Sequence, residues 1–291
     1  MIRLRDGKNL TRSLEQAQKR LPSRPVSPRD KIGVICGPHI NRMNGNLLFG
    51  TTRTAIRSRH ALIAPDGHVV SGLPGVTGGT TVVLISPAMG AGFTELTITF
   101  NQNGRAEFPD SQIEAFVYVL AGSVTAQAKA ERKILSAGEF LFVPAVTPWS
   151  LTEPVPGTQV HLFLKRYVAL PGVPEPGILF GREQDIAGQP FLGDESARLQ
   201  VLLPENLSYD LAVNIFNYQP GAHLPFVETH IMEHGLLMLA GTGVYRLDDN
   251  WYPVTAGDCI WMAPFCPQWF VAMGKTAARY LYCKDVNRLT V

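Results

Sequence analysis

Past residue 50 the chain alternates between short apolar runs and breaks rich in Gly, Pro and Asn. The runs include "TTVVLISP" (80–87), "EAFVYVLAG" (114–122), "GEFLFVPA" (138–145), "HLFLKRYV" (161–168), "HGLLMLAG" (234–241), "GDCIWMAP" (257–264) and "RYLYCKDV" (279–286). Runs of this length, regularly spaced between turn-forming residues and with little helical periodicity, predict many short strands in a closed or sandwiched all-β fold.

The two halves of this pattern match each other. Glu114 to Ala126 parallels Glu233 to Tyr245, and Ser136 to Trp149 parallels Thr255 to Gln268, both at one offset of 119 residues. Gly122 falls on Gly241 and Gly138 on Gly257. Self-similarity at a constant offset predicts a duplicated β domain. The proline-rich stretch Val168 to Gly177 lies between the copies and reads as the entry to a linker. We therefore expect an N-terminal extension over 1–49, a first domain over 50–170 and a second over 171–291.

Composition narrows the functional classes. A 45% hydrophobic, 9% aromatic chain of 291 residues can bury one large core or two modest ones. A formal net charge of +2 argues against a strongly cationic nucleic-acid binder. Cys36, Cys259, Cys266 and Cys283 form no CxxC pair and fit reduced thiols. No apolar run is long enough to span a bilayer as a helix and the N-terminus lacks a secretory apolar stretch, so the expected location is the cytoplasm, with no membrane partner. Residues 1–31 carry nine Lys and Arg against Asp6, Glu15 and Asp30, the composition of a solvated extension or an oligomer arm, with a basic targeting segment as the competing reading.

The candidate chemistry lies in "ETHIMEHG", Glu228 to Gly235. On a regular strand Glu228, His230 and His234 share one face and Glu233 takes the other. A carboxylate and two imidazoles on one face make a plausible ligand set for a divalent metal. Buried in a barrel they need such a partner, because unpaired polar groups there are costly. Glu233 is expected to make a structural hydrogen bond or ion pair. His39, His60, His68, His161 and His223 read as ordinary structural histidines, and Trp261 and Trp269 as core or pocket wall.

Gly221, Glu228, His230, His234 and Gly241, followed by Gly257, Pro264 and Gln268, resemble the two-part cupin signature, whose second part places a fourth ligand 11 residues after its glycine, as Gln268 follows Gly257. The order here is ExH then His, with Gln in the fourth place. In that altered order, "FVETHIMEHG" and the closing "YLYCKDVNR" are similar to the ureidoglycine aminohydrolases, a bicupin family of ureide breakdown, with Phe226 in place of a tyrosine. The resemblance covers both halves from about residue 50.

It implies two tandem cupin barrels, a homo-oligomer, and one Mn²⁺ per chain bound by Glu228, His230, His234 and Gln268. The donor types agree, since an amide oxygen in place of a third imidazole makes a harder site. At the repeat offset these four positions become Pro109, Ser111, Ala115 and Trp149, none a plausible ligand, so the first barrel is expected to serve structure or assembly. The implied substrate is (S)-ureidoglycine, deaminated to (S)-ureidoglycolate. Tyr245, Tyr280 and Lys284 carry over as substrate-binding residues, with Lys284 and Glu228 as the candidates for moving protons. Tyr280 and Lys284 share parity on the last strand, and a lysine facing a barrel interior has its neutral form favoured. Lys165 occupies the equivalent place in the first half, so a structural lysine is the competing reading. Tyr282, of the same parity, is read as packing. Two other functions stay open: a non-catalytic carboxylate-binding bicupin, and a metal-dependent bicupin decarboxylase or dioxygenase for small oxo-acids. The intact ligand positions weigh against the first and the lack of a three-histidine, one-glutamate set against the second.

Overall fold

The computed structural model of the chain describes residues 52–109 and 111–286; the basic segment 1–31, Cys36, His39 and the closing Asn287 and Arg288 lie outside them. The described residues form strands joined by turns and three short 3-10 turns, with no α-helix among them. The all-β expectation is met.

A ten-stranded sheet is organised around the long strand Phe93–Phe108, which pairs antiparallel with Val76–Ile85, Gln159–Arg166 and Trp149–Thr152. An eight-stranded sheet and a three-stranded sheet, the latter made of Asn250–Thr255, Thr242–Leu247 and Gln268–Met273, enclose the second interior. The repeat is visible in the pairing. Ile113–Ala121 lies between Gln159–Arg166 and Glu139–Val143, and its counterpart His234–Ala240 lies between Ala278–Asp285 and Cys259–Met262. Gly122 and Gly241 turn the chain at equivalent points with φ of 76° and 77°. A Cβ on Gly241 would run into the backbone of Ala277, so the repeat keeps glycine there for space as well as for conformation.

Alternation sorts side chains into three cores. The first interior gathers Leu96, Ile98, Ala115, Val117 and Leu162. The second holds Phe216, Tyr218, Tyr245, Phe270, Tyr280 and Tyr282. Between the two sheets the opposite faces of the same strands meet, with Phe93, Phe116 and Phe163 against Val213, Ile215, Leu281 and Cys283. Cys259, Cys266 and Cys283 are buried and unbridged.

Neither sheet is confined to one half of the chain. His60–Ile63 pairs with Cys259–Met262 in the second sheet, and Leu179–Arg182, after the proline-rich segment, pairs with Glu139–Val143 in the first. The guanidinium of Arg53 grips the buried Asp258 carboxylate through two hydrogen bonds of 2.8 and 2.7 Å, adding a polar latch to the first exchange. The division expected after residue 170 is thus crossed in both directions, and the described residues fall within a single compact unit.

The interface between sheets also disposes of two of the histidine and lysine questions. His161 is fully buried, its Nε2 3.0 Å from Glu95 Oε1 and its Nδ1 3.0 Å from the Thr97 hydroxyl, a structural role. Lys165 donates to Asp210 Oδ2 at 2.6 Å across the interface.

Candidate active site

The segment carrying Glu228 and His230 is not a regular strand. Between residues 219 and 233 it forms no continuous ladder, only the isolated bridges His223 to Val271 and Glu228 to Gln268 and scattered single backbone bonds, and the strand proper begins at His234. Strand parity is therefore not what gathers these side chains. The Glu228 bridge is: Glu228 N–H donates to the Gln268 carbonyl at 2.8 Å and Gln268 N–H returns to the Glu228 carbonyl at 2.9 Å, while Phe265 N–H holds the His230 carbonyl at 2.7 Å.

The outcome is convergence. Glu228, His230, His234 and Gln268 line one pocket of about 180 Å³ in the second interior, together with Tyr245, Tyr280 and Lys284. All the site residues expected from the sequence are brought together. The volume lies below the usual range for drug-sized ligands, so the pocket suits a very small molecule.

The imidazole of His230 stacks on that of His234 with centroids 4.8 Å apart, and His234 stacks on Tyr282 at 5.5 Å. His230 Nδ1 is 3.1 Å from the Met232 carbonyl. A carbonyl only accepts, so Nδ1 carries the proton and Nε2 presents a lone pair, to which the Gln268 amide donates at 3.1 Å. His234 Nε2 is buried without a hydrogen-bond partner. Burial drives the basicity of both rings down, most strongly for His234, with the charge of Lys284 adding to it. Burial raises the Glu228 carboxyl above its ordinary range, and Lys284 opposes this. Lys284 stands directly across the strand pair from His234.

The phenols extend this polar wall. The Tyr280 and Tyr218 hydroxyls are 3.0 Å apart. Burial pushes the hydroxyls of Tyr245, Tyr280 and Tyr282 far above the ordinary tyrosine range, which keeps them protonated as neutral hydrogen-bond donors. Among the described residues, no three His, Cys, Asp or Glu side chains already form a closed cation site. The arrangement is an open wall of donors facing a small cavity.

Glu233 points away from the pocket, as its parity implied. Its carboxylate accepts the Trp261 indole N–H at 2.6 Å and the Gly92 N–H at 2.8 Å, and its own N–H donates to Asp285 at 2.7 Å. The first sheet thereby buttresses the strand of His234. Gly235 is where the support is closest, since a Cβ there would meet Glu95 and Phe93. Trp261 belongs to the core between sheets, and Trp269 donates to the Leu224 carbonyl and stacks near His223; neither lines the pocket, and nor do His60 and His223.

Three polar lining residues were missed: Asn214, Glu205 and Tyr282, the last of which is pocket wall as well as packing. Asn214 carried a signal. In "LAVNIFNY" it shares parity with Phe216 and Tyr218, and one amide on an inward apolar face calls for a reason.

The Cupin domain family model matches residues 214–283, the span from Asn214 to Cys283. An (S)-ureidoglycine aminohydrolase from Arabidopsis thaliana is 39% identical over 244 residues, covering 83% of this chain and 80% of that one. The (S)-ureidoglycine aminohydrolase of Escherichia coli (strain K12) is 36% identical over 235 residues, 78% of this chain and 88% of that one. The chain belongs to the (S)-ureidoglycine aminohydrolase family. The crystal structure of protein Ylba from E. coli superposes with a TM-score of 0.74 at 32% identity, covering 83% of this chain and 97% of that chain. Family membership agrees with the cupin fold. The positions quoted for the resemblance, Glu228, His230, His234, Gln268, Tyr245, Tyr280 and Lys284, are the ones gathered around the pocket.

Proposed function

We propose that the chain catalyses hydrolytic deamination of (S)-ureidoglycine to (S)-ureidoglycolate and ammonia in ureide breakdown, with one manganese ion held by Glu228, His230, His234 and Gln268. The observation that carries this reading is a buried imidazole nitrogen of His234 without a partner, facing the same small pocket as a second imidazole, a carboxylate and a lysine.

The residues fit a divalent ion. His230 has its Nδ1 committed to a carbonyl, so Nε2 is the nitrogen that binds once the Gln268 amide turns, and both imidazoles are kept neutral by burial. Gln268 can present its oxygen in place of its nitrogen with no change of shape. Two imidazoles, a carboxylate and an amide oxygen suit manganese better than copper or zinc. When bound, the ion supplies a fixed positive charge for the substrate carboxylate, which holds the α-carbon in one orientation.

The rest is proton traffic. A carbon bearing two nitrogens expels ammonia readily once the amine is protonated, and water then adds to the resulting iminium carbon. The overall exchange moves one proton from water to the departing amine. A single carrier at the α-carbon closes that cycle and returns to its starting state, and Lys284 is that carrier. Glu228 offers a further acceptor oxygen for the entering water. Tyr245 and Tyr280 donate hydrogen bonds to substrate oxygens and limit the cavity, so that water reaches one face and the product has one hand.

In the first interior the equivalents of the ligand positions include Ala115, packed in the apolar core, and Trp149, stacked on Phe108 at 4.1 Å. One metal per chain follows from that contrast.

The test is ammonia release from freshly generated (S)-ureidoglycine with and without Mn²⁺, following product chirality. The reading predicts manganese-dependent formation of (S)-ureidoglycolate alone. Racemic product at the unaided rate overturns it.

A further inference from the structure

Asn214 lies in the middle of the strand Leu211–Tyr218 on the face that looks into the second interior, and it lines the pocket. Only 4% of it is exposed, and its Oδ1 has no hydrogen-bond partner. Its cross-strand neighbour is Tyr282, and nothing in the fold satisfies the acceptor end of the amide. A buried acceptor left unmet destabilises a fold, and a leucine of similar size would relieve the defect. An asparagine here therefore points to a ligand that brings a donor.

The other polar groups on the pocket wall show which part of the substrate is still unserved. Lys284, Tyr245 and Tyr280 offer N–H and O–H donors and suit carboxylate and carbonyl oxygens. Glu228 and Gln268 are assigned to the metal. Glu205 is an exposed residue, so its carboxylate stays in competition with water. Among the described lining residues this leaves Asn214 Oδ1 as the buried acceptor available to a ligand N–H. A ureido group ends in an NH₂, a strong donor that suits a buried acceptor of this kind.

We propose that Asn214 is the specificity-determining residue for the ureido end of the substrate, its Oδ1 accepting an N–H of the terminal NH₂. This rests on the reading of the pocket as a ureidoglycine site. A site built around such a hydrogen bond rejects analogues that lack the donor, because the buried acceptor is then left unpaired.

The proposal is tested by binding rather than turnover. N-carbamoylglycine and N-acetylglycine differ only in an NH₂ against a CH₃ at the position in question, and neither carries the reactive α-amine. Their inhibition constants are measured on the manganese-loaded protein for wild type, Asn214→Leu and Asn214→Asp, beside thermal melting of each. The expected result is that wild type binds N-carbamoylglycine at least tenfold more tightly than N-acetylglycine. Asn214→Leu should abolish that ratio, chiefly by losing affinity for the carbamoyl compound, while melting as high as wild type or higher. Asn214→Asp, which keeps an acceptor, should keep a preference for the carbamoyl compound. A wild type that does not discriminate, or an Asn214→Leu protein that discriminates as wild type does, overturns the proposal. If Asn214→Leu fails to fold, loss of the preference in Asn214→Asp overturns it instead. Failure of the functional reading is distinguishable: it appears as wild-type protein that gives racemic product from (S)-ureidoglycine, whatever the two inhibition constants are.

Discussion

Lys165 and Lys284 occupy equivalent positions in the two repeats and have opposite surroundings. The ammonium of Lys165 rests on Asp210 at 2.6 Å, across the interface between sheets, whereas Lys284 lines the pocket and, among the described residues, has no carboxylate within ion-pair distance. One position is a strut, and in the function proposed above the other is a reagent. Lys284→Ala should therefore bind manganese and melt as wild type does while kcat falls by a factor on the order of 10² to 10⁴. Lys165→Met should show the reverse, near-normal turnover with about 3 kcal/mol less stability, since it leaves the Asp210 charge buried and unpaired. Single-turnover kinetics and urea unfolding of the two variants read the contrast directly, and normal turnover in Lys284→Ala would remove it from the mechanism.

The stacked imidazoles predict a metal-dependent stability. Adding Mn²⁺ to metal-free protein should raise the melting temperature by an amount that grows with the logarithm of its concentration, because the ion binds the folded state. Glu228→Ala and His234→Ala should lose both the rise and the bound manganese measured by elemental analysis. A His234→Ala protein that retains a full complement of manganese would show that the ion sits elsewhere.

Asp210 predicts an acid limb to stability. Burial opposes ionisation of its carboxyl, but a proton shared with the Glu114 carboxyl and the hydrogen bond and charge of Lys165 outweigh that and hold it below the ordinary value of 3.8. A depressed carboxyl stabilises the fold above its unfolded-state value and loses that contribution as pH falls through the folded one. Between neutral pH and pH values below 3.8, wild type should lose more stability than Asp210→Asn, in which this titration is absent. Parallel urea midpoints for the two proteins over that range would contradict the assignment.

The latch between Arg53 and Asp258 predicts that the exchanged strand can be loosened from outside. Asp258 is fully buried, and its carboxylate also accepts the Thr255 N–H at 2.8 Å. Arg53→Ala leaves that carboxylate half satisfied, and a loss of about 2 kcal/mol is expected. Hydrogen exchange should quicken first at His60–Ile63 and Cys259–Met262, and uniform exchange across the chain would argue against a local latch.

Much of this was legible in the sequence because it depends on neighbours close along the chain or on the repeat. The strand alternation of "RYLYCKD" put Tyr280 and Lys284 on one face, and the glycine pair Gly122 and Gly241 marked equivalent turns. The convergence of Glu228, His230 and His234 was also read correctly, but from a regular strand that does not exist there. Backbone hydrogen bonds to Gln268, 40 residues away in sequence, do the gathering, and no local pattern reveals them. Asn214 and Tyr282 were obscured for a related reason. A buried amide and a third tyrosine acquire meaning only beside the strand that faces them. The exchange of strands between halves was invisible, since an apolar run such as "HALI" fits any sheet edge equally well.

That exchange shapes how the molecule can be made. His60–Ile63 is apolar enough to be buried at every position, yet its partner Cys259–Met262 lies far downstream in the chain and is synthesised long after it. Until that partner is made the strand must wait with an unpaired edge, a condition that invites wrong partners and the attention of chaperones. The same geometry means that a gene cut within the proline-rich segment would yield two polypeptides, each holding a strand that the other lacks. Such fragments, made together, have a built-in means of finding one another; made singly, each would present an open edge.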